Sequence, residues 1–341
     1  MTSVDTEVPS RKFFFREAIA RALVEEMIRD PRLMVLGQDV GAFGGTYREF
    51  AGLHARFGAE RVRDMPVAEA SMVGIGVGAA AAGTRTLVSI TYMDFLLLGL
   101  DPLVNYAAKL RYKTGGQLRA PVVVKTTAGA KGQGVAHSQC IEAWMMAVPG
   151  LRVVAPFTPG DAYGLLKTAL REDGPVLYID HKRLFQTAGP VPMAETFVPL
   201  GCARIVRPGY DVTLVSHSYA LVPTLAAAEA LAAEGISCEV IDLRSLAPLD
   251  LSTLCQSVAR TRALVTVEEG QLTCGVGSEV AFQVRQEVAI DRVARVGAVP
   301  APVSSNPVLE AACLPDADRV QAAVHAVLGT RSGDGPHRAK L

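Results

Sequence analysis

The sequence predicts an α/β protein made of two parallel-sheet domains. Three observations carry that prediction. Short apolar, β-branched runs such as PVVVK at 121–125 alternate with longer stretches of helical period. These runs lack the in–out alternation of a half-solvated sheet, so they read as strands buried on both faces. The alternation pauses at a Pro- and Gly-punctuated segment over 181–203 and then resumes. Repeated strand–helix order implies parallel sheets covered by helices.

Taken in order, residues 13–29 read as a helix, with Phe14, Ala18, Leu23 and Met27 on roughly one face. Residues 33–36 read as a strand that runs into a glycine-rich loop, GQDVGAFGGTY, over 37–47. A strand-like run at 61–64 stops before Pro66, because the residue preceding a proline is held extended. The small apolar run after Glu69 reads as a helix. Its glycines Gly74, Gly76, Gly78 and Gly83 would permit close backbone approach, at about 1 kcal/mol each against Ala. Strands are expected at 86–91, 121–125, 152–155 and 175–179, and helices at 96–112 and 159–171. A glycine-rich loop, TTAGAKGQGVAH, fills 126–137. In the second half, strands at 212–215, 238–241, 264–267 and 293–296 alternate with helices at 219–234, 277–288 and 316–328. The expected division is a first domain over 11–185, a linker over 186–203, a second domain over 204–330 and a frayed polar tail over 331–341.

Composition narrows the function classes. Lys plus Arg number 34 and Asp plus Glu number 34, so charge gives no case for nucleic acid or an acidic membrane. The six cysteines form no CxxC pair, which reads as reduced thiols. Asp5 and Glu7 precede any apolar run, which argues against a targeting peptide. No apolar stretch approaches the ~20 residues needed to span a bilayer. A cytoplasmic location is the expectation.

Two side chains stand out as chemical candidates. Glu69 is a lone acid at the mouth of a nearly chargeless helix. It either complements the helix dipole or has a raised pKa and a role in proton transfer. His137 closes the second glycine-rich loop at a strand's C-terminal edge, a good position for acid–base work, although a lone His is more often structural. Gly74, Gly76 and Gly78 imitate a dinucleotide fingerprint with the wrong spacing. Gly333-Asp334-Gly335 imitates a metal–diphosphate turn with no helix to follow it. No G-x-S-x-G elbow supports a hydrolase.

Together, LGQDVGAFGGTY, RVRDMPVAEA, GIGVGAAAAG, YMDF, NYAAKLRYKTGGQ, AHSQCIEAWMMAVPGLRVVAP, GLLKTALREDGPVLYIDHK and VEEG give a match from about Phe13 to Leu328. The chain resembles the β subunit of the thiamine-diphosphate-dependent E1 component of 2-oxoacid dehydrogenase complexes, of the pyruvate, branched-chain and acetoin types. The resemblance implies a transketolase-like pyrimidine-binding domain followed by a transketolase C-terminal domain. It places Glu69 at N1′ of the cofactor's aminopyrimidine. There a shared proton lets the 4′-amino group act as a base toward the thiazolium C2, and the cofactor becomes the electron sink. Phe95 would lie against the aminopyrimidine, with Met93 and Val67 also lining the cofactor. His137 would assist acyl transfer to the lipoyl arm of E2.

The resemblance also implies an α subunit that holds the diphosphate and Mg2+. The assembly would be an α2β2 tetramer, with β–β contacts and E2 docking through the C-terminal domain. A potassium site would use backbone carbonyls of Val122, Ala169, Glu172 and Gly174. Gln38 departs from the usual Glu of a GED triplet, and Pro102 from a Gln. Ala68 and Ser71 replace a Ser and a Gly, and VGAVPAP lacks an Asp. These departures keep open a thiamine-dependent lyase or acyl transferase that meets no lipoyl domain. A non-catalytic assembly subunit is the third reading.

Overall fold

The structure, a computed structural model, describes residues 9–329. The chain opens with strand β1 (Ser10–Phe14), not with the helix expected from residue 13, and helix α1 (Phe15–Arg29) follows. Phe14 is extended and Glu17 Oε2 accepts its N–H at 2.9 Å, while Phe15 N–H goes to Thr187 at 2.9 Å. The helical period therefore starts one residue later than Phe14.

Next come β2 (Met34–Gly37), α2 (Leu53–Phe57), β3 (Val62–Asp64), α3 (Glu69–Ala81), β4 (Thr86–Ile90) and α4 (Met93–Leu96). The helix expected over 96–112 is broken. A 3-10 turn (Leu97–Gly99), a wide π-helical stretch (Asp101–Ala107) and α5 (Ala108–Lys113) replace it. Pro102, near the start of the wide stretch, has no N–H for a regular ladder. Gly99 lies so close to Val73 that a Cβ would clash. The rest of this half is β5 (Val122–Ala128), α6 (Glu142–Met146), β6 (Arg152–Val154), α7 (Pro159–Arg171) and β7 (Val176–His181). Thr158 caps α7 by accepting Asp161 N–H at 3.1 Å.

β8 (Ala188–Pro192) forms inside the segment read as a linker, because it pairs antiparallel with β1. Then come β9 (Arg204–Arg207), β10 (Val212–Ser216), α8 (Leu221–Ala233), β11 (Cys238–Asp242), β12 (Ser245–Ala247), α9 (Leu251–Thr261) and β13 (Ala263–Gln271). α10 (Val276–Glu287), β14 (Arg292–Ala298), α11 (Pro307–Cys313) and α12 (Ala317–Leu328) close the described chain.

Two main sheets result, with orders β12–β6–β7–β5–β4–β2–β3 and β14–β13–β10–β11–β9. Every adjacent pair is parallel except the edge pairs β12–β6 and β11–β9. β12 comes from the second half of the chain but completes the first sheet. One apolar cluster accordingly joins Val122, Val153 and Met72 of the first half to Leu246, Leu254 and Val280 of the second.

α3 lies on the first sheet through Gly76, whose missing side chain makes room for Val88; Thr86 donates its hydroxyl to the Gly76 carbonyl at 3.1 Å. Close approach holds only there. Gly74 and Gly78 face open space beside the half-exposed Ile75, and Gly83 ends the helix region with φ of +97°. Among the described residues no helix is long and apolar enough to cross a membrane. The Gly333-Asp334-Gly335 turn and the polar tail lie outside the described residues.

Candidate active site

Parallel strands end on one edge, and open α/β sheets hold ligands there. Gln38 follows β2, Tyr92 and Phe95 follow β4, and His137 lies beyond β5. Glu69 opens α3 on the same edge, because β3 runs out before Pro66 and the helix can start only after it. Its carboxylate is buried, at 5% exposure. Its one polar side-chain partner among the described residues is Gln38, whose amide donates to Oε1 at 3.3 Å. Gln38 therefore presents a neutral hydrogen-bond donor, and not a second carboxylate, to Glu69.

Phe95 and His137 meet edge-to-face with ring centroids 5.3 Å apart, and Tyr92 meets His137 the same way at 4.8 Å. The His137 imidazole thus sits between two rings. Gln133 donates its amide to the Tyr92 hydroxyl at 3.0 Å, and Lys182 lies over the Tyr92 ring at 4.8 Å. Asp94 accepts Gln139 N–H at 3.3 Å through one oxygen, while its other oxygen and the Ser138 hydroxyl are buried without hydrogen-bond partners among the described residues. A flat aromatic wall, an under-used carboxylate and unpaired polar atoms suit a planar heterocycle that carries both donors and acceptors.

Met93 and Val67 are placed differently. Met93 is fully buried in the core cluster, and Val67 is 78% exposed on the loop before α3. The four carbonyls proposed for potassium lie toward the opposite edge, near the starts of β5 and β7. Two of them already accept hydrogen bonds. Ala169 takes Glu172 N–H at 3.2 Å, and Glu172 takes Arg85 Nη1 at 2.6 Å. The guanidinium raises the electrostatic cost of a second cation beside it. Among the described residues no cluster of three or more His, Cys, Asp or Glu side chains is arranged to hold a metal ion.

The loop that carries His137 is held from the second half of the chain. Glu269 in β13 accepts Ala130 N–H at 2.7 Å, and Glu310 in α11 accepts Gly132 N–H at 2.6 Å. The run after β7 completes the clamp. His181 Nε2 meets Glu269 at 3.0 Å, Lys182 donates to the Gly129 carbonyl at 2.8 Å, and Arg183 bridges the Ala130 carbonyl and Glu310 at 2.8 and 2.7 Å. Arg183 N–H donates to His181 Nδ1 at 3.2 Å, which leaves Nε2 to carry the ring proton toward Glu269. Gly129 is obligatory, because a side chain there would strike the His181 ring.

Burial pushes the Glu269 carboxyl up, but His181, the Ala130 amide and Arg183 together outweigh it and hold the group below its usual range. Beside it, burial and then the charges of Glu269 and Glu268 raise Glu142 to about 8. Burial also lowers His217 to about 4. Glu269 lay within the VEEG motif and Tyr92 within YMDF, so both had a sequence signal. Glu310 had none, because it reaches the loop from a helix 178 residues away in sequence.

A doubly sheeted α/β chain with this edge defines a class, the transketolase-type proteins. Residues 11–187 match the transketolase pyrimidine-binding domain and residues 201–320 the transketolase C-terminal domain. A pyruvate dehydrogenase E1 component subunit beta of Rhizobium meliloti is 42% identical over 92% of this chain and 69% of its own length. The mitochondrial beta-1 subunit of Arabidopsis thaliana is 41% identical over 91% and 88%, and the mitochondrial beta subunit of Drosophila melanogaster 38% over 95% and 90%. Among solved structures, a split gene transketolase described as an inactive beta4 tetramer superposes with a TM-score of 0.77 at 27% identity, covering 93% of this chain and 99% of its own. Transketolase from Leishmania mexicana shares the fold, with a TM-score of 0.69 at 19% identity over 98% of this chain and 48% of its own. The chain belongs to the family of E1 β subunits within the transketolase superfamily.

Proposed function

We propose that this chain is the β subunit of a thiamine-diphosphate-dependent 2-oxoacid dehydrogenase, an enzyme that decarboxylates a 2-oxoacid and passes the acyl group to a lipoyl-bearing E2 component. The observation that carries this reading is the buried Glu69 carboxylate on the same sheet edge as the Phe95–His137 pair. Sequence identity to pyruvate dehydrogenase β subunits supports it.

Bound thiamine diphosphate would supply an electron sink for decarboxylation. Glu69 would hold a proton at the cofactor's N1′, oriented by the Gln38 amide. Phe95 would give the aminopyrimidine a flat apolar face. His137, fixed between Tyr92 and Phe95, would move a proton during acyl transfer. The diphosphate and Mg2+ would be held by an α-type partner in an α2β2 arrangement, with β–β contact through the second domain. A potassium ion at the four carbonyls would be structural and remote from this chemistry.

A second reading is a thiamine-dependent lyase or acyl transferase that does not use lipoyl-E2. Gln38 in place of a carboxylate favours it, as does the likeness to the split gene transketolase over nearly that chain's full length. A complex with an α-type chain decides between them. Decarboxylation is read with an artificial electron acceptor, and acylation with a lipoyl domain. Both activities support the first reading. Decarboxylation without acylation supports the second. A complex that binds cofactor but does neither defeats both.

A further inference from the structure

We infer that the cleft between the two glycine-rich loops binds a small phosphorylated molecule. The cleft has a volume of about 410 Å3 and lies on the same sheet edge as Glu69 and His137. Arg16 comes from the first turn of α1, Arg48 from the loop after β2 and Lys131 from the loop after β5. Its wall is the Tyr47–Phe185 pair, stacked with centroids 4.3 Å apart and 9° between ring planes.

The three cations have no carboxylate partner among the described residues. Arg16 lies over the Phe14 ring at 4.7 Å, and Arg48 donates to the Phe43 carbonyl. The nearby acids are spoken for. Glu17 holds Phe14 N–H, and Glu49 holds Lys125 at 3.2 Å and Tyr47 N–H at 3.0 Å. Glu269 and Glu310 hold the loop that carries Lys131. Other cations close to this edge are paired, as in Arg183–Glu310 and Lys125–Asp180. Three unpaired positive groups around one concavity repel one another, and an anion relieves that repulsion.

Guanidinium forks match a tetrahedral oxyanion, and an ammonium adds a point charge. A dianionic phosphate therefore fits better than a monoanionic carboxylate. The stacked rings offer an apolar flank for the organic remainder. The Tyr47 side chain neighbours Tyr92, whose ring edge meets His137. One tyrosine thus separates the proposed phosphate site from the candidate active site, and the remainder of the ligand can extend that way.

The test is calorimetric titration of inorganic phosphate into the full chain at low ionic strength, with acetate as the carboxylate control. It passes through no thiamine chemistry, so its outcome is separate from the function proposed above. The expected result is saturable phosphate binding, weakened by added salt and at least about tenfold weaker for acetate. Lys131→Gln combined with Arg16→Gln should weaken phosphate by about tenfold or more, the loss of at least one charge-assisted hydrogen bond. Lys131 is exposed with no partner in the described chain, so Lys131→Gln alone provides a folded variant, in which phosphate binding should also weaken. No saturation, equal affinity for acetate, or affinity unchanged in the variants would overturn the inference.

Discussion

Gln38 donates its side-chain amide to Glu69 Oε1 at 3.3 Å, across 31 residues of sequence. A neutral donor, and not a second acid, therefore faces the buried carboxylate. Gln38→Glu is expected to make the pair bind one extra proton near neutrality. Two unit charges ~4 Å apart repel by about 4 kcal/mol at an effective dielectric of ~20, more than two pH units' worth. Potentiometric titration of parent and variant measures the difference. An unchanged proton count would mean that the two side chains do not face each other in solution.

The carboxylate clamp on the His137 loop gives a second prediction. Glu310→Ala leaves the Gly132 amide and the Arg183 guanidinium without their shared acceptor. A hydrogen bond to a charged group contributes about 1.5–3 kcal/mol. Amide exchange in a peptide covering 129–139 should therefore quicken by about tenfold or more, while the strands of the second sheet keep their protection. Unchanged exchange in that peptide would show that Glu310 does not hold the loop.

Glu142 sets a pH dependence. Its folded pKa is raised to about 8 from the ordinary 4.5, chiefly by burial. A raised folded pKa means that the native state keeps a proton that the unfolded chain loses. The associated stability is full below about 4.5 and is lost progressively as pH rises to about 8. Glu142→Gln mimics the protonated form, so its stability relative to the parent should grow across that window and then level off. His217 works in the opposite direction. Burial lowers it from 6.5 to about 4, so its contribution falls as pH drops through that range. Urea midpoints against pH separate the two, and a flat difference for Glu142→Gln would contradict its assignment.

Two glycines of α3 should behave oppositely. A methyl at Gly76 would collide with Val88, so Gly76→Ala should destabilise by about 1–3 kcal/mol. Gly78 has nothing within 4 Å of such a methyl, so Gly78→Ala should stabilise the isolated chain by up to about 1 kcal/mol. If a partner subunit covers this face, the same change weakens assembly. Denaturant unfolding checks the first two outcomes, and sedimentation of the complex checks the third.

The strand–helix order and the placement of Glu69 were legible because local signals were strong. Pro66 fixes where α3 can begin, and runs such as 122–125 have few other ways to be buried. The parts that were missed depend on partners remote in sequence. The end of β1, from residue 13, reads as helix and β8 as linker, because neither strand shows a pattern until it meets the other. β12 crosses to the first sheet through three residues, too few for a periodic signal. The helix expected over 96–112 has the right apolar period, but Gly99 must lie against Val73 and Pro102 cannot donate. The same holds for the site. His137 and Phe95 are singled out by the motifs they lie in, whereas Glu310 and Arg183 come to the loop only once the chain is folded.

The central claim is that Glu69 serves a thiamine cofactor shared with another chain. The most direct test is calorimetric titration of thiamine diphosphate with Mg2+ into three samples: this chain alone, its complex with an α-type subunit, and that complex carrying Glu69→Gln. The account predicts binding to the complex only, with assembly intact and decarboxylation severely reduced in the variant. Tight binding to the chain alone, or near-normal turnover with Glu69→Gln, would contradict it.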